Sequence, residues 1–305
     1  MGAGHSHEHG HDHGPVNHGP AFAIGVTLNL LFVGVEATYG FLSGSMALVA
    51  DAGHNLSDVL SLALAWGASV LARRPAGGRF TYGFKSSTIL AALANAGLLL
   101  VAIAGIAYET LGRIAAPPAV EGRMMIAVAG LGILINGATA LLFMRGRKND
   151  INIRGAFLHM AADALVSLGV VVAGAAILLT GARWIDPVTS LVIVLVIAWG
   201  TWGLLKDSVK LSLNAVPDHI DEAAVRAHLA ALPGVAAVHD LHIWPMSTTE
   251  AALTAHLVMP SGHPGDGFLH ELAHDLEHDF RIGHTTVQVE TEASEDCRLA
   301  PATHA

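Results

Sequence analysis

Six stretches of this chain are long and apolar enough to cross a lipid bilayer, and they restrict the fold more than any other feature. They fall at about 21–43, 45–72, 87–112, 124–144, 156–181 and 185–205. A helix needs roughly 20 mainly apolar residues to span the hydrocarbon core. A spanning segment must also satisfy its own backbone hydrogen bonds, so each stretch reads as a helix. Composition agrees: 52% of the 305 residues are hydrophobic and only 13% are charged, which excludes an ordinary soluble domain of this length. The expected fold is an α-helical membrane protein with six transmembrane helices and a small soluble tail.

Basic residues set the expected orientation, because short cytoplasmic loops retain Lys and Arg. The segments after the second, fourth and sixth spans carry Arg73, Arg74, Arg79, Lys85, Arg145, Arg147, Lys148, Arg154, Lys206 and Lys210. The opposite loops carry Arg113, Arg123 and Arg183. Both termini are therefore expected in the cytoplasm. A net charge of −9 gives no surface suited to nucleic acid. Cys297 is the single cysteine, so no intrachain disulfide can form. Residues 1–20 do not have the basic-then-apolar pattern of a cleaved signal peptide, and the first span is expected to act as its own membrane signal. A bacterial inner membrane is the default location, since no organelle-sorting motif is present.

Three parts are expected around the membrane block of 21–213. Residues 1–20, MGAGHSHEHGHDHGPVNHGP, lack the apolar content needed for a core and read as a disordered cytoplasmic tail. The region 214–297 reads as a regulatory domain with helix 219–232, strands 235–244 and 251–259, helix 266–280 and strand 284–291. That α-β-β-α-β order is an α+β domain with helices on one face of a short sheet. Residues 298–305 read as a disordered end.

Two of the spans repeat one spacing. The second holds His54-Asn-Leu-Ser-Asp58 and the fifth holds His159-Met-Ala-Ala-Asp163. Residues at i and i+4 share a helical face, so each imidazole points the same way as its carboxylate. Ionisable groups inside a membrane are costly and mark functional pathways. Two neutral imidazoles and two carboxylates suit tetrahedral zinc, whereas magnesium and calcium prefer all-oxygen shells. Iron, cobalt and cadmium stay open. A single such pair would read as a helix-packing contact; its repetition in two spans favours a metal. Asp51 stands one turn before His54 and is expected to position the site from behind. Asn29, Glu36, Asn95, Glu109 and Asn136 are expected to bond neighbouring helices rather than line a cavity.

The run Gly44-Ser45-Met46-Ala47-Leu48-Val49-Ala50-Asp51-Ala52, leading into His54 and Asp58, resembles the signature of the cation diffusion facilitator family. His159 to Asp163, Asp186-Pro187-Val188-Thr189-Ser190, His239-Asp240-Leu241-His242-Ile243-Trp244 and Thr286-Val287-Gln288-Val289-Glu290 extend the similarity over about 20–297. The resemblance implies a homodimer that exchanges a divalent metal for protons, with His54, Asp58, His159 and Asp163 holding the transported ion. It also implies a ferredoxin-like, metallochaperone-like tail. Having His at position 54 resembles the zinc-preferring branch. In the tail it implies a second metal site at His239, His256 and Glu290, with Cys297 as a candidate fourth ligand. The stretch Arg79-Phe80-Thr81-Tyr82-Gly83-Phe84 lacks the His and Asp of a further loop site found in some relatives, so that site is expected to be missing.

Two more histidine patterns bear on metal. His5, His7, His9, His11 and His13, with Glu8, Asp12 and His18, form a flexible tract suited to weak cation capture; its interruptions distinguish it from a plain purification tag. His270-Glu271-Leu272-Ala273-His274 matches the H-E-x-x-H pattern of zinc proteases. There, Leu269, Leu272, Leu276 and Phe280 form the packing stripe while His270, His274 and His278 follow a flank. The rival functions are thus a membrane zinc protease and a membrane-anchored metal sensor. Neither needs paired ligands in two spans, so a non-enzymatic zinc exporter is the expected function, with zinc as substrate, no organic cofactor, and lipid, protons and a second copy of the chain as partners.

Overall fold

The computed structural model describes residues 19–144 and 151–292. Six long helices lead: α1 (Gly19–Ser43), α2 (Met46–Ala72), α3 (Ser87–Ala115), α4 (Gly122–Phe143), α5 (Ile151–Thr180) and α6 (Ile185–Ser212). Five of them are long and apolar enough to span a membrane; in α1 the apolar stretch among the described residues is Leu30–Ser43. The ends fall where backbone chemistry places them. Gly44 (φ 71°) and Gly181 (φ 70°) stop α1 and α5 in the left-handed region that only glycine enters cheaply. α6 continues past the expected end at 205, because the polar turn with Lys206, Asp207 and Lys210 still favours helix beyond the apolar stretch.

The burial pattern is inverted relative to a soluble protein. Leu179, Trp199 and Tyr108 face outward, while Glu36, Asp51, Asn55, Asn136, Asp163 and Asp186 are buried. That is the arrangement lipid requires, with apolar side chains outside and the few polar groups facing one another. α4 and α5 approach closely through small residues. A Cβ on Gly122 would sit 2.9 Å from the Gly174 carbonyl oxygen, and one on Gly174 would meet Ile126 at the same distance. This is the close backbone packing that stabilises helices in membranes.

The described chain divides into two compact units, one of residues up to 59 with 106–193, the other of 60–105 with residues from 194 onward. In the second unit, the segment after α6 folds as α7 (Glu222–Ala230), β1 (Ala237–Pro245), β2 (Ala251–Val258), α8 (Asp266–Phe280) and β3 (Ile282–Glu290). The expected α-β-β-α-β order is present. β2 lies centrally, antiparallel to β1 and parallel to β3. Val225, Leu229, Leu253, Leu257, Leu272, Leu276 and Ile282 form the core beneath it. α7 starts later than the expected 219 because Asp221 caps it, accepting from the backbone N–H of Ala223 and Ala224. β3 begins at Ile282 rather than 284, since Arg281 (φ 59°) ends α8 in the left-handed region and turns the chain directly into the sheet.

The loop between α2 and α3 is tied to this α/β part within the same unit. Thr248 N donates to Thr88 Oγ1 at 3.1 Å, Ser86 Oγ donates to the Met246 carbonyl at 3.3 Å, and Lys85 pairs with Glu250. The Tyr82 and His284 rings meet edge to face at 5.5 Å.

Candidate metal centre

α2 and α5 bring the two H-x-x-x-D pairs together. His54 Nε2 lies 3.4 Å from Asp163 Oδ1 and 3.7 Å from Asp58 Oδ2. His159 Nε2 lies 3.2 Å from Asp58 Oδ2 and 3.7 Å from Asp163 Oδ2. Each imidazole therefore contacts the carboxylate of the other helix as well as its own. His54, Asp58 and Asp163 each offer a ligand atom within 4.8 Å of the others, and His159 closes on both carboxylates. Its side chain keeps 43% of its surface exposed, against 3% for Asp163, so the cluster has an accessible and an enclosed side. A divalent cation fits this donor set, because its charge offsets two carboxylates that would otherwise repel at low dielectric.

Behind the cluster lies a polar layer within the same unit. Ser167, one turn after Asp163, donates to Asp51 Oδ2 at 3.2 Å. Asn55 Nδ2 donates to Glu36 Oε2 at 3.1 Å, joining α2 to α1. Glu36 Oε1 and Asp51 Oδ1 are buried without a hydrogen-bond partner among the described residues. Gly132 of α4 makes room here, since a Cβ would stand 2.8 Å from Phe32 and 2.9 Å from Ser167 Oγ. Asn136 is buried one turn further along α4. Of the other polar positions, Asn95 is buried, while Glu109 is exposed and bonds Arg113 of its own helix, not a neighbouring one. The side chain of Asn29 lies outside the described residues.

The start of α2 is fixed from α6. Asp186 Oδ2 accepts from Met46 N at 2.9 Å, and its Oδ1 accepts from Ser45 Oγ at 2.5 Å and Ala47 N at 3.3 Å. A buried carboxylate thus caps the helix that carries His54 and Asp58 and complements the positive end of its dipole.

A second cluster forms on the sheet. His239 of β1 and His256 of β2 are register partners, and Glu290 ends β3 beside Val258. His256 Nδ1 is 2.8 Å from Glu290 Oε1 and His239 Nε2 is 3.0 Å from Glu290 Oε2. These three side chains also meet the 4.8 Å spacing. Burial pushes the Glu290 carboxyl upward, but hydrogen bonds from His239, Gln288 and His256 outweigh it and hold the group below its ordinary range. A β-bulge between His239 and His242 places Asp240 at φ 49°, with its carboxylate 3.6 Å from His256 Nε2. Asp240 belongs to the motif read from the sequence, yet its approach to this cluster depends on the bulge.

Cys297 and the tract of His5, His7, His9, His11 and His13 lie outside the described residues. In α8, His270, Glu271 and His274 are exposed and the His274 and His278 rings stack at 6.1 Å. Leu272 and Leu276 point into the core instead. The H-E-x-x-H match therefore sits on an open helix face, and among the described residues it belongs to no group with metal-ligand spacing.

The family model for the cation efflux transmembrane domain matches residues 22–211, and that for the cation efflux protein cytoplasmic domain matches 217–292. The chain belongs to the cation efflux family. The metal cation efflux system protein CzcD of Cupriavidus metallidurans is 37% identical over 301 residues, covering 98% of this chain and 94% of that protein. The zinc transporter ZitB of Escherichia coli is 37% identical over 302 residues, covering 97% and 96%. A cadmium, cobalt and zinc/H(+)-K(+) antiporter of Bacillus subtilis is 34% identical over 289 residues, covering 93% of each chain. As a cation efflux protein, the chain has its cluster of two imidazoles and two carboxylates inside the transmembrane match and its sheet cluster inside the cytoplasmic one.

Proposed function

We propose that this protein exports zinc from the cytoplasm in exchange for protons, with His54, Asp58, His159 and Asp163 holding the ion during transport. The carrying observation is the cross-helix pairing of His54 with Asp163 and of His159 with Asp58. Zinc requires neutral imidazole and ionised carboxylate, so its binding displaces protons and their return helps release it. Relatives named as zinc, cadmium and cobalt transporters and as a proton antiporter support the same substrate class and coupling. Asp51 acts behind the ligands, through Ser167. Cadmium and cobalt are expected to compete with zinc.

The remainder of the reading follows from the charge bias and the tail. Residues 21–213 form the transport domain of a bacterial inner-membrane protein with both termini in the cytoplasm. Residues 214–297 form a regulatory domain through which two copies pair, and zinc at His239, His256 and Glu290 stabilises that pairing by mass action. Residues 1–20 raise the local concentration of zinc without taking part in the transport step.

Flux into proteoliposomes tests the reading. Vesicles acidic inside should accumulate zinc through outward-facing cytoplasmic entrances, and a protonophore should abolish the accumulation. Zinc entry at one rate with and without the gradient would refute the exchange.

A further inference from the structure

The loop between α2 and α3, residues 73–86, carries Arg73, Arg74, Arg79 and Lys85 and no acidic residue. Lys85 pairs with Glu250. The three arginines are exposed and have no ion pair among the described residues. The loop is nonetheless a built structure. Gly77 and Phe80 exchange backbone hydrogen bonds at 3.0 Å, and Gly83 N donates to the Phe80 carbonyl at 2.9 Å. Gly83 (φ 68°) lies so close to the Arg74 carbonyl that a Cβ would stand 3.0 Å from it, so the end of the loop folds back on its start. Within the same unit, the loop borders an open cavity of about 620 Å³ lined by Arg73, Arg74, Tyr82, Lys85 and His284 among others. Glu250 is the one acid among the described residues that line it, and Lys85 already offsets its charge.

Two arginines without a carboxylate partner beside one cavity suit a phosphate group, which a guanidinium can grip with two hydrogen bonds. Position selects the source of that phosphate. Arg73 directly follows the last residue of the membrane helix α2, and Ser69 and Ala72 of that helix line the same cavity, which sets it at the polar boundary of the bilayer. Anionic headgroups there attract cations beside the spans. Phe80, next to Arg79, is 54% exposed, and its ring lies 4.5 Å from that of Phe84; an exposed aromatic pair among cations suits a membrane interface rather than bulk water. We propose that this cavity is a headgroup site for an anionic phospholipid, with Arg73 and Arg74 holding the phosphate and Lys85 shared between the lipid and Glu250. Because Lys85, Ser86 and Thr88 also tie this segment to the α/β part, a bound lipid braces that contact.

Native mass spectrometry of the full-length protein in nonionic detergent measures lipid retention, with phosphatidylglycerol, phosphatidylcholine of the same chains, and inorganic phosphate as probes. Phosphatidylglycerol should bind at least tenfold more tightly than phosphatidylcholine. Arg73→Gln combined with Arg74→Gln should weaken it more than tenfold, at about fivefold per cation lost. Glu250→Gln, which frees Lys85, should tighten it a few-fold, and Arg123→Gln, one span further along the chain at the start of α4, should leave it unchanged. Phosphatidylglycerol should raise the Tm of the unmodified protein and of Glu250→Gln but not of the double variant. Equal retention of the two lipids, an equal loss in Arg123→Gln, or unchanged binding in both the double variant and Glu250→Gln overturns the proposal. Displacement of the lipid by an equal concentration of phosphate makes this a soluble-anion site and overturns the lipid assignment.

Discussion

The carboxylate of Asp186 accepts a hydrogen bond from the backbone N–H of Met46 at 2.9 Å, so α6 supplies the cap for α2. The bond fixes the start of the helix that bears His54 and Asp58, eight and twelve residues beyond Met46. Asp186 is buried, and removing it would leave the N–H groups of Met46 and Ala47 without an acceptor. Asp186→Ala should cost about 1–3 kcal/mol of stability and lower zinc affinity together with it. Asp186→Asn, which keeps an acceptor, should lose less. Thermal melts of both variants in detergent, with and without zinc, check the order.

Gly132 leaves no space for a methyl group beside Phe32 and Ser167. Gly132→Ala should therefore cost about 1–3 kcal/mol through overpacking and displace the Ser167 hydroxyl from Asp51. Melting and zinc flux should fall together, and Ser167→Ala should reproduce the flux loss with a smaller stability change.

Glu290 gives the sheet cluster an acid-sensitive contribution to stability. Glu290 titrates below its ordinary 4.5 because His239, Gln288 and His256 hold it ionised. A folded value below the unfolded one stabilises the fold at pH above the unfolded value, and that contribution disappears as pH falls through the folded one. In melts over an acid series, the stability step attributable to Glu290 should appear below pH 4.5 and be missing in Glu290→Gln.

Deleting residues 1–19 should leave maximal zinc flux nearly unchanged and slow transport only at low zinc, because a histidine-rich tract apart from the four ligands raises local metal concentration without entering the transport step. Rates over a zinc titration, compared with the full chain, check this.

Much of the architecture was legible because its signals are local. Apolar length marks a span, and the i, i+4 spacing places His54 with Asp58 and His159 with Asp163 on single helical faces. The cross-pairing of His54 with Asp163 was not legible, since nothing local to α2 specifies its rotation against α5. The Asn55 and Ser167 contacts escaped for the same reason: a small polar residue in a span reads alike whether it bonds its own helix or another. Asp186 stood in a recognised motif without a role, because a cap donated by a helix distant in sequence leaves no spacing signature. Asp240 required the bulge, whose positive φ has no glycine to announce it.

Zinc flux through Asp163→Ala protein, reconstituted beside the unmodified chain under the same pH gradient, tests the central claim most directly. Asp163 is the most enclosed of the four proposed ligands and contacts both imidazoles. Its loss removes one of the two carboxylates that offset the cation at low dielectric. Flux should fall to that of protein-free vesicles, with the protein still folded and paired in solution. Undiminished, proton-coupled zinc flux in the variant would contradict the assignment of the transport site.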